Sequence, residues 1–220
     1  MRDWAENQVT LALIRHGETR ANRERRYLGK TDDPLSGQGI QALLSYQAQG
    51  HYPEVGYLFS SPMVRCMETA KLLYPKLAPT VIPEWEEMDF GQFEYKNFRE
   101  LEGDAQYQAW LQSGGTLGFP GGESRESFIK RCEKGFFHMC RKLQEMAAQE
   151  DAGTPIRVGL IVHGGTVMAL LSSFGGKEYF SCQAPNGRGY LCRMGRQHLH
   201  PAGSGLQARA EIQIEVVEEI

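Results

Sequence analysis

The sequence predicts an α/β protein built on an open sheet, and three observations carry that prediction. Two short apolar runs, residues 10–14 and 157–162, have the character of strands buried in a sheet. Each stops abruptly in histidine and glycine, as Arg15-His16-Gly17 and as His163-Gly164-Gly165. Helical periodicity follows such runs, and the C-terminal part alternates apolar and polar residues as half-buried strands do. Open α/β sheets bind ligands beyond the carboxyl ends of their strands. If the two runs lie side by side, His16 and His163 emerge at one sheet edge, one to attack and the other to hold the group attacked.

Composition sets the limits. At 220 residues the chain is expected to form a single domain with a sizeable core, 1–220. It is 41% hydrophobic and 23% charged with a net charge of −3, which argues against bulk nucleic-acid binding. No run is long enough to span a membrane, and the opening residues Met1-Arg-Asp-Trp-Ala-Glu lack an apolar signal core. The five cysteines are odd in number and have no Cys-x-x-Cys spacing, so they are expected as small core residues in a reducing, cytoplasmic setting.

In chain order, the strand at 10–14 is followed by a loop, residues 17–39, with Arg20, Arg23, Arg25, Arg26 and Lys30. These cations form a solvated face, or one or two of them attract an anionic substrate. Asn22, six residues past His16, can curl back and donate to the same ligand. Ser36 is a plausible N-cap for a helix with Ile40, Leu43 and Leu44 turned inward. Residues 55–59 form the next strand, and a helix over 63–73 follows with Pro62 at or near its first turn. Arg65 sits in that first turn, where the helix dipole prefers an anion. It either points to water or shares a bound anion with the helix end.

Residues 79–83 predict a short strand. From Glu84 to Asp104, eight carboxylates then face only Lys96 and Arg99, with Trp85, Phe90, Phe93, Tyr95 and Phe98 interleaved and Tyr107 and Trp110 beyond. The segment is either a solvated insertion or a substrate cover whose carboxylate supplies a proton and whose aromatics grip an organic moiety. Phe119-Pro-Gly-Gly-Glu-Ser124 is a turn. A long helix over 124–148 follows, with Phe128, Cys132, Phe136, Met139, Leu143 and Met146 as a buried stripe. A helix over 166–174 starts directly behind His163-Gly-Gly, an arrangement suited to an anion. Tyr190, Cys192 and Met194 alternate in one arm of a hairpin, Ile212, Ile214 and Val216 in the other. His198-x-His200 lies near its turn without a clear third ligand, so no metal site is expected.

Together, Arg15, His16, Asn22, Arg65, His163 and one acid have the makings of phosphoryl transfer. That chemistry is mostly positioning and neutralising charge on three equatorial oxygens, and arginine forks do so without losing their proton. A neutral imidazole can attack phosphorus, and clustered cations keep it neutral. A carboxylic acid opposite it must protonate the leaving alkoxide, then deprotonate the hydrolytic water. No metal or other cofactor is required.

Leu13-Ile-Arg-His-Gly-Glu-Thr19 with Asn22, Ser60-Ser-Pro-Met-Val-Arg65 with Thr69-Ala70, Glu87-Met-Asp-Phe-Gly-Gln-Phe-Glu94 and Val162-His-Gly-Gly165 resemble, in order, the motifs of the histidine phosphatase superfamily, phosphoglycerate mutase-like branch. The resemblance implies His16 as nucleophile and Glu87 as general acid and base. Arg15, Asn22, Gly29, Arg65, His163 and Gly164 would form the phosphate pocket. It implies a three-layer α/β/α sandwich with a mostly parallel sheet, the antiparallel C-terminal hairpin, and a helical cap at about 90–120. Residues 27–36 and 119–124 look most like α-ribazole phosphatases of cobalamin assembly. The family often has Trp-Glu-Gly after its acid, where this chain has Phe93-Glu94-Tyr95. The expected substrate is a small organic monophosphate, hydrolysed without mutase or phytate-cleaving activity. A broad-specificity phosphatase, a phosphoglycerate mutase, a protein phosphatase and a non-enzymatic binder of phosphorylated ligands stay as alternatives. Oligomeric state stays open, a homodimer being one option.

Overall fold

The computed structural model describes residues 9–151, 153–197 and 211–220. Among these, the strands are β1 (Val9–Arg15), β2 (Tyr57–Ser60), β3 (Thr80–Val81), β4 (Ile156–Val162), β5 (Gly189–Gln197) and β6 (Glu211–Glu219). They form one sheet in the order β3-β2-β4-β1-β5-β6. From β3 to β1 the pairing is parallel, and β5 and β6 add on antiparallel. The late strand β4 therefore slots between β1 and β2, and the neighbours β1 and β4 both end at one crevice.

Side chains along β1 alternate between two cores. Leu11 and Leu13 pack with Phe128, Cys132, Phe136, Met139 and Leu143 of α5 (Arg125–Met146) and with α6 (Gly164–Gly175). Ala12 and Ile14 pack with Leu43 of α2 (Gly37–Ala48) and with Cys66, Ala70 and Leu73 of α3 (Val64–Leu73). The result is the expected three-layer α/β/α arrangement. The helices start where local chemistry starts them: the Ser36 and Ser124 hydroxyls accept the backbone N–H groups of Gly39 and Ser127. Gly176, at φ +61°, ends α6.

Some boundaries and faces differ from expectation. Leu44 and Met146, expected inward, are 40% and 43% exposed, because each lies off the edge of its helix's buried stripe. The second strand starts at Tyr57, the sixth helix starts two residues early at Gly164, and Pro62 precedes the N-cap Met63. The loop at 17–39 contains a four-residue helix, α1 (Arg20–Arg23), closed by a capping box between Thr19 and Asn22. His198, His200 and the opening residues 1–8 lie outside the described residues.

The aromatics of the acid-rich segment have structural work. Trp85 is fully buried, its indole N–H donating to the Cys132 carbonyl at 3.3 Å. Phe90, Phe93, Tyr107, Trp110 and Phe119 form a cluster around Tyr27, with α4 (Ala105–Gln112) supplying two of them. This cluster is continuous with the core that holds Leu11 and Leu13, whereas Phe98 is 46% exposed. All five cysteines are buried and free.

Candidate active site

The β1/β4 register brings the two histidines together. Arg15 lies opposite Val162, and the His16 backbone N–H donates to the Val162 carbonyl at 2.9 Å. One residue further, the rings of His16 and His163 stand edge to face, with centroids 5.2 Å apart. His16 Nδ1 is 2.7 Å from the Gly17 carbonyl, which can only accept. Nδ1 therefore carries the hydrogen, and a neutral His16 has its lone pair on Nε2. Burial, then the charges of Arg65 and Arg15, hold the His16 pKa well below the usual histidine value. The same influences, with His16 itself, hold His163 down. Ser61 Oγ, 2.8 Å from His163 Nε2, fixes that ring.

Two guanidinium groups join them, that of Arg65 buried and that of Arg15 partly buried. Arg65, in the first turn of α3, has no side-chain exposure to solvent. It donates to the carbonyls of Gly29 (2.9 Å) and Thr31 (3.0 Å). Arg15 donates to the Ala184 carbonyl at 2.8 Å. The Nε atom of each arginine is buried with no hydrogen-bond partner among the described residues. Buried donors of this kind are costly unless something accepts from them, and an oxyanion between the two would. Burial lowers the Arg15 pKa, nearby Glu87 raises it and Arg65 lowers it further. Glu87 is buried beside them, and desolvation raises its pKa above the usual carboxylate value against the pull of Met88 N–H, Arg65, Arg15 and Gly165 N–H. Its Oε1 accepts from Met88 N–H at 2.9 Å and is the oxygen nearest Gly165, leaving Oε2 as the freer atom.

The other expected residues fall in two groups. Asn22 is oriented for donation: its Oδ1 accepts from Thr19 N–H and Asn186 Nδ2, both at 3.1 Å, and the remaining polar group is Nδ2. Gly164, the first residue of α6, lies against Arg15, where a Cβ would sit 3.4 Å from Nε. Gly29, expected to bind substrate, instead stands behind Arg65. Its N–H donates to Glu94 Oε1 at 2.9 Å, its carbonyl accepts from Arg65, and a Cβ would come within 2.1 Å of the Met88 carbonyl. Much of the basic loop is ion-paired: Arg20 and Arg26 hold Glu24, Arg26 also reaches Glu100, and Lys30 holds Asp89.

Three more polar residues hold the site: Asn186, which the sequence does not single out, and Ser61 and Thr69, which belong to the second motif but carry no role there. Asn186 donates to the His16 carbonyl at 3.2 Å and to Asn22, while Ser61 holds His163. Thr69 accepts from Gly17 N–H at 3.0 Å and donates to the Arg65 carbonyl at 2.7 Å. Pro185-Asn186-Gly187 is a turn signal at the foot of β5 that could have drawn attention to Asn186. Among the described residues no three His, Cys, Asp or Glu side chains converge as metal ligands, and no helix is long and apolar enough to cross a membrane.

A family model described as histidine phosphatase superfamily (branch 1) matches residues 11–188. The adenosylcobalamin/alpha-ribazole phosphatase of Escherichia coli strain K12 is 34% identical over 130 residues, 57% of this chain and 64% of that protein. The match therefore spans less than two thirds of that relative. The crystal structure of the alpha-ribazole phosphatase from Shigella flexneri superposes with a TM-score of 0.69 at 26% identity, covering 84% of this chain and 89% of that one. A phosphoglycerate mutase from Thermus thermophilus gives a TM-score of 0.61 at 31% identity, covering 84% and 91%.

Proposed function

Because the chain belongs to the histidine phosphatase superfamily (branch 1), we propose that it hydrolyses a small organic phosphomonoester through a phosphohistidine on His16, without a metal ion. The observation that supports this most is the buried cluster itself. Two imidazoles held below the usual histidine pKa, two guanidinium groups with unpartnered Nε atoms and one carboxyl whose pKa burial raises gather beyond the ends of two adjacent parallel strands.

In this reading the substrate phosphate binds between Arg15, Arg65 and His163, with Asn22 Nδ2 donating to it. His16 Nε2 forms the N–P bond as the ester P–O bond breaks, and the electron pair stays on the leaving oxygen. Glu87 Oε2 gives that oxygen its proton. The resulting carboxylate then takes a proton from water, which attacks phosphorus and releases phosphate from His16. The arginines neutralise the equatorial oxygens throughout. The segment 90–120 covers the site as a cap.

The substrate proposed is α-ribazole 5′-phosphate, on the strength of the relatives named for that ester. The carboxylates around Glu87 disfavour a substrate with several negative charges, and so disfavour mutase chemistry. The test is hydrolysis of p-nitrophenyl phosphate and α-ribazole 5′-phosphate in EDTA by the wild type and His16→Ala. Metal-independent turnover that vanishes in the variant, with acid-labile phosphate trapped on wild-type His16, is expected. Full activity of His16→Ala would overturn the mechanism, and equal turnover of both esters would overturn the substrate.

A further inference from the structure

We propose that Arg131, on the first turns of α5, is the positioning residue that holds the proton donor Glu87 on the leaving-group side. This rests on the assignment of Glu87 as general acid. Glu87 lies in an irregular segment just past the 3₁₀ turn Pro83–Trp85. Arg131 gathers that segment by its carbonyl oxygens. Nη1 donates to the Glu84 and Glu86 carbonyls, each at 2.9 Å, and Nη2 reaches the Glu87 carbonyl at 3.4 Å.

The guanidinium is itself fixed. A fork to Glu123, from Nε at 3.1 Å and Nη2 at 2.7 Å, orients it in the plane. The Glu123 backbone N–H in turn donates to the Asp89 carbonyl at 2.9 Å, two residues past the acid. Phe128 packs beneath the guanidinium, its ring centre 5.1 Å from Cζ. The same ring would lie 3.1 Å from a Cβ at Gly165, the residue that faces the Glu87 carboxylate. One planar cation thus ties α5, the 119–124 turn and the acid-bearing segment together beside Glu87. Lysine cannot replace it, because a single ammonium cannot meet three carbonyls and a carboxylate fork at once.

A displaced general acid has a kinetic signature that mere loss of stability lacks. An aryl phosphate releases a phenolate that needs little protonation; an alkyl phosphate releases an alkoxide that needs it fully. The experiment measures kcat and KM for p-nitrophenyl phosphate and for a simple alkyl phosphate with wild type, Arg131→Lys, Arg131→Met, Glu123→Gln and Glu87→Gln. In Arg131→Met, kcat/KM on the alkyl ester should fall roughly 10²-fold, while kcat/KM on the aryl ester, which reports only the formation of the phosphohistidine, stays close to wild type; kcat falls on both esters, because Glu87 also serves the water step they share. Arg131→Lys should behave like Arg131→Met. Glu123→Gln, which keeps the cation and loosens its fork, should show a smaller loss of the same kind, and it carries the test if Arg131→Met does not fold. Equal losses of kcat/KM on both esters, or none on either, would overturn the proposal. If Glu87→Gln itself shows no leaving-group dependence, it is the assignment of Glu87 that fails, and the role given to Arg131 fails with it.

Discussion

At the scale of single residues, burial shifts the two histidines and the carboxyl of the site toward their uncharged forms. Burial, with Arg65 and Arg15, holds the pKa values of His16 and His163 well below the usual histidine value, while burial raises that of Glu87. The histidines make stability depend on pH in a definite direction. Below about pH 6.5 the unfolded chain protonates both imidazoles and the folded chain does not, so the unfolded state binds more protons. Their contribution is fully present above that pH and is lost as pH falls toward their lowered folded values, by up to about 1.4 kcal/mol per unit for each. Glu87 acts the other way: its raised folded pKa favours the native state at low pH, and that contribution fades as pH rises through the folded value. Two histidines against one carboxyl leave a net loss on acidification. Urea unfolding at pH 7.5 and 5.5 should show the wild type losing stability and His16→Gln losing less. An identical loss in the variant would mean His16 carries none of the effect.

At the scale of elements, the backbone around the acid-bearing segment shows what replaced the family's usual glycine. Tyr95 stands there at φ +60°, a left-handed conformation that costs a non-glycine residue about 1 kcal/mol. Its hydroxyl donates to Asp33 Oδ2 at 3.0 Å, its N–H donates to the Tyr27 carbonyl, and Arg26 lies over its ring. The side chain therefore ties the loop after β1 to the segment after Glu87. Tyr95→Phe keeps the strained backbone and loses the bond to Asp33, and should cost about 1 kcal/mol. Tyr95→Gly loses that bond but also relieves the strain, so it should be at least as stable as Tyr95→Phe in chemical denaturation. The reverse order would show that this turn carries no strain. The departure from the family's glycine at Tyr95 is visible in the sequence; the conformation that makes glycine the easier residue is visible only once the turn is built.

At the scale of the whole molecule, the strands, the long helices and the paired histidines were legible because each rests on local patterning: apolar runs, hydroxyl caps and a stripe at helical spacing. The choice of Glu87 among eight carboxylates was not legible from composition, since Glu84, Asp89, Glu94 and Glu100 hold cations or backbone N–H groups elsewhere. Asn186 escaped, and Ser61 and Thr69 had a place in a motif but no role, because a polar side chain looks the same in sequence whether or not the fold carries it to the site. Sheet order escaped for a similar reason, since strand propensity says nothing about neighbours. Gly189 shows how that order bears on the site. At the start of β5 it crosses β1 so closely that a Cβ would come within 1.8 Å of the Leu13 carbonyl, and its own N–H and carbonyl both bond Ile220. Backbone meets backbone there, so no side chain can turn away, and Gly189→Ala must push β1 near its end. It should cost about 1–3 kcal/mol, the usual range for overpacking. It should also lower kcat/KM, because Arg15 and His16 follow Leu13 by two and three residues and small misplacements of reacting groups are expensive. Gly195, six residues along the same strand, has open space where its Cβ would stand. Gly195→Ala should stay within about 0.5 kcal/mol of wild type and leave kcat/KM unchanged. Thermal unfolding and steady-state kinetics on both variants decide the matter. If Gly189→Ala destabilised the protein yet left kcat/KM intact, the antiparallel strand would be a support for the sheet alone, without a hold on the geometry of His16.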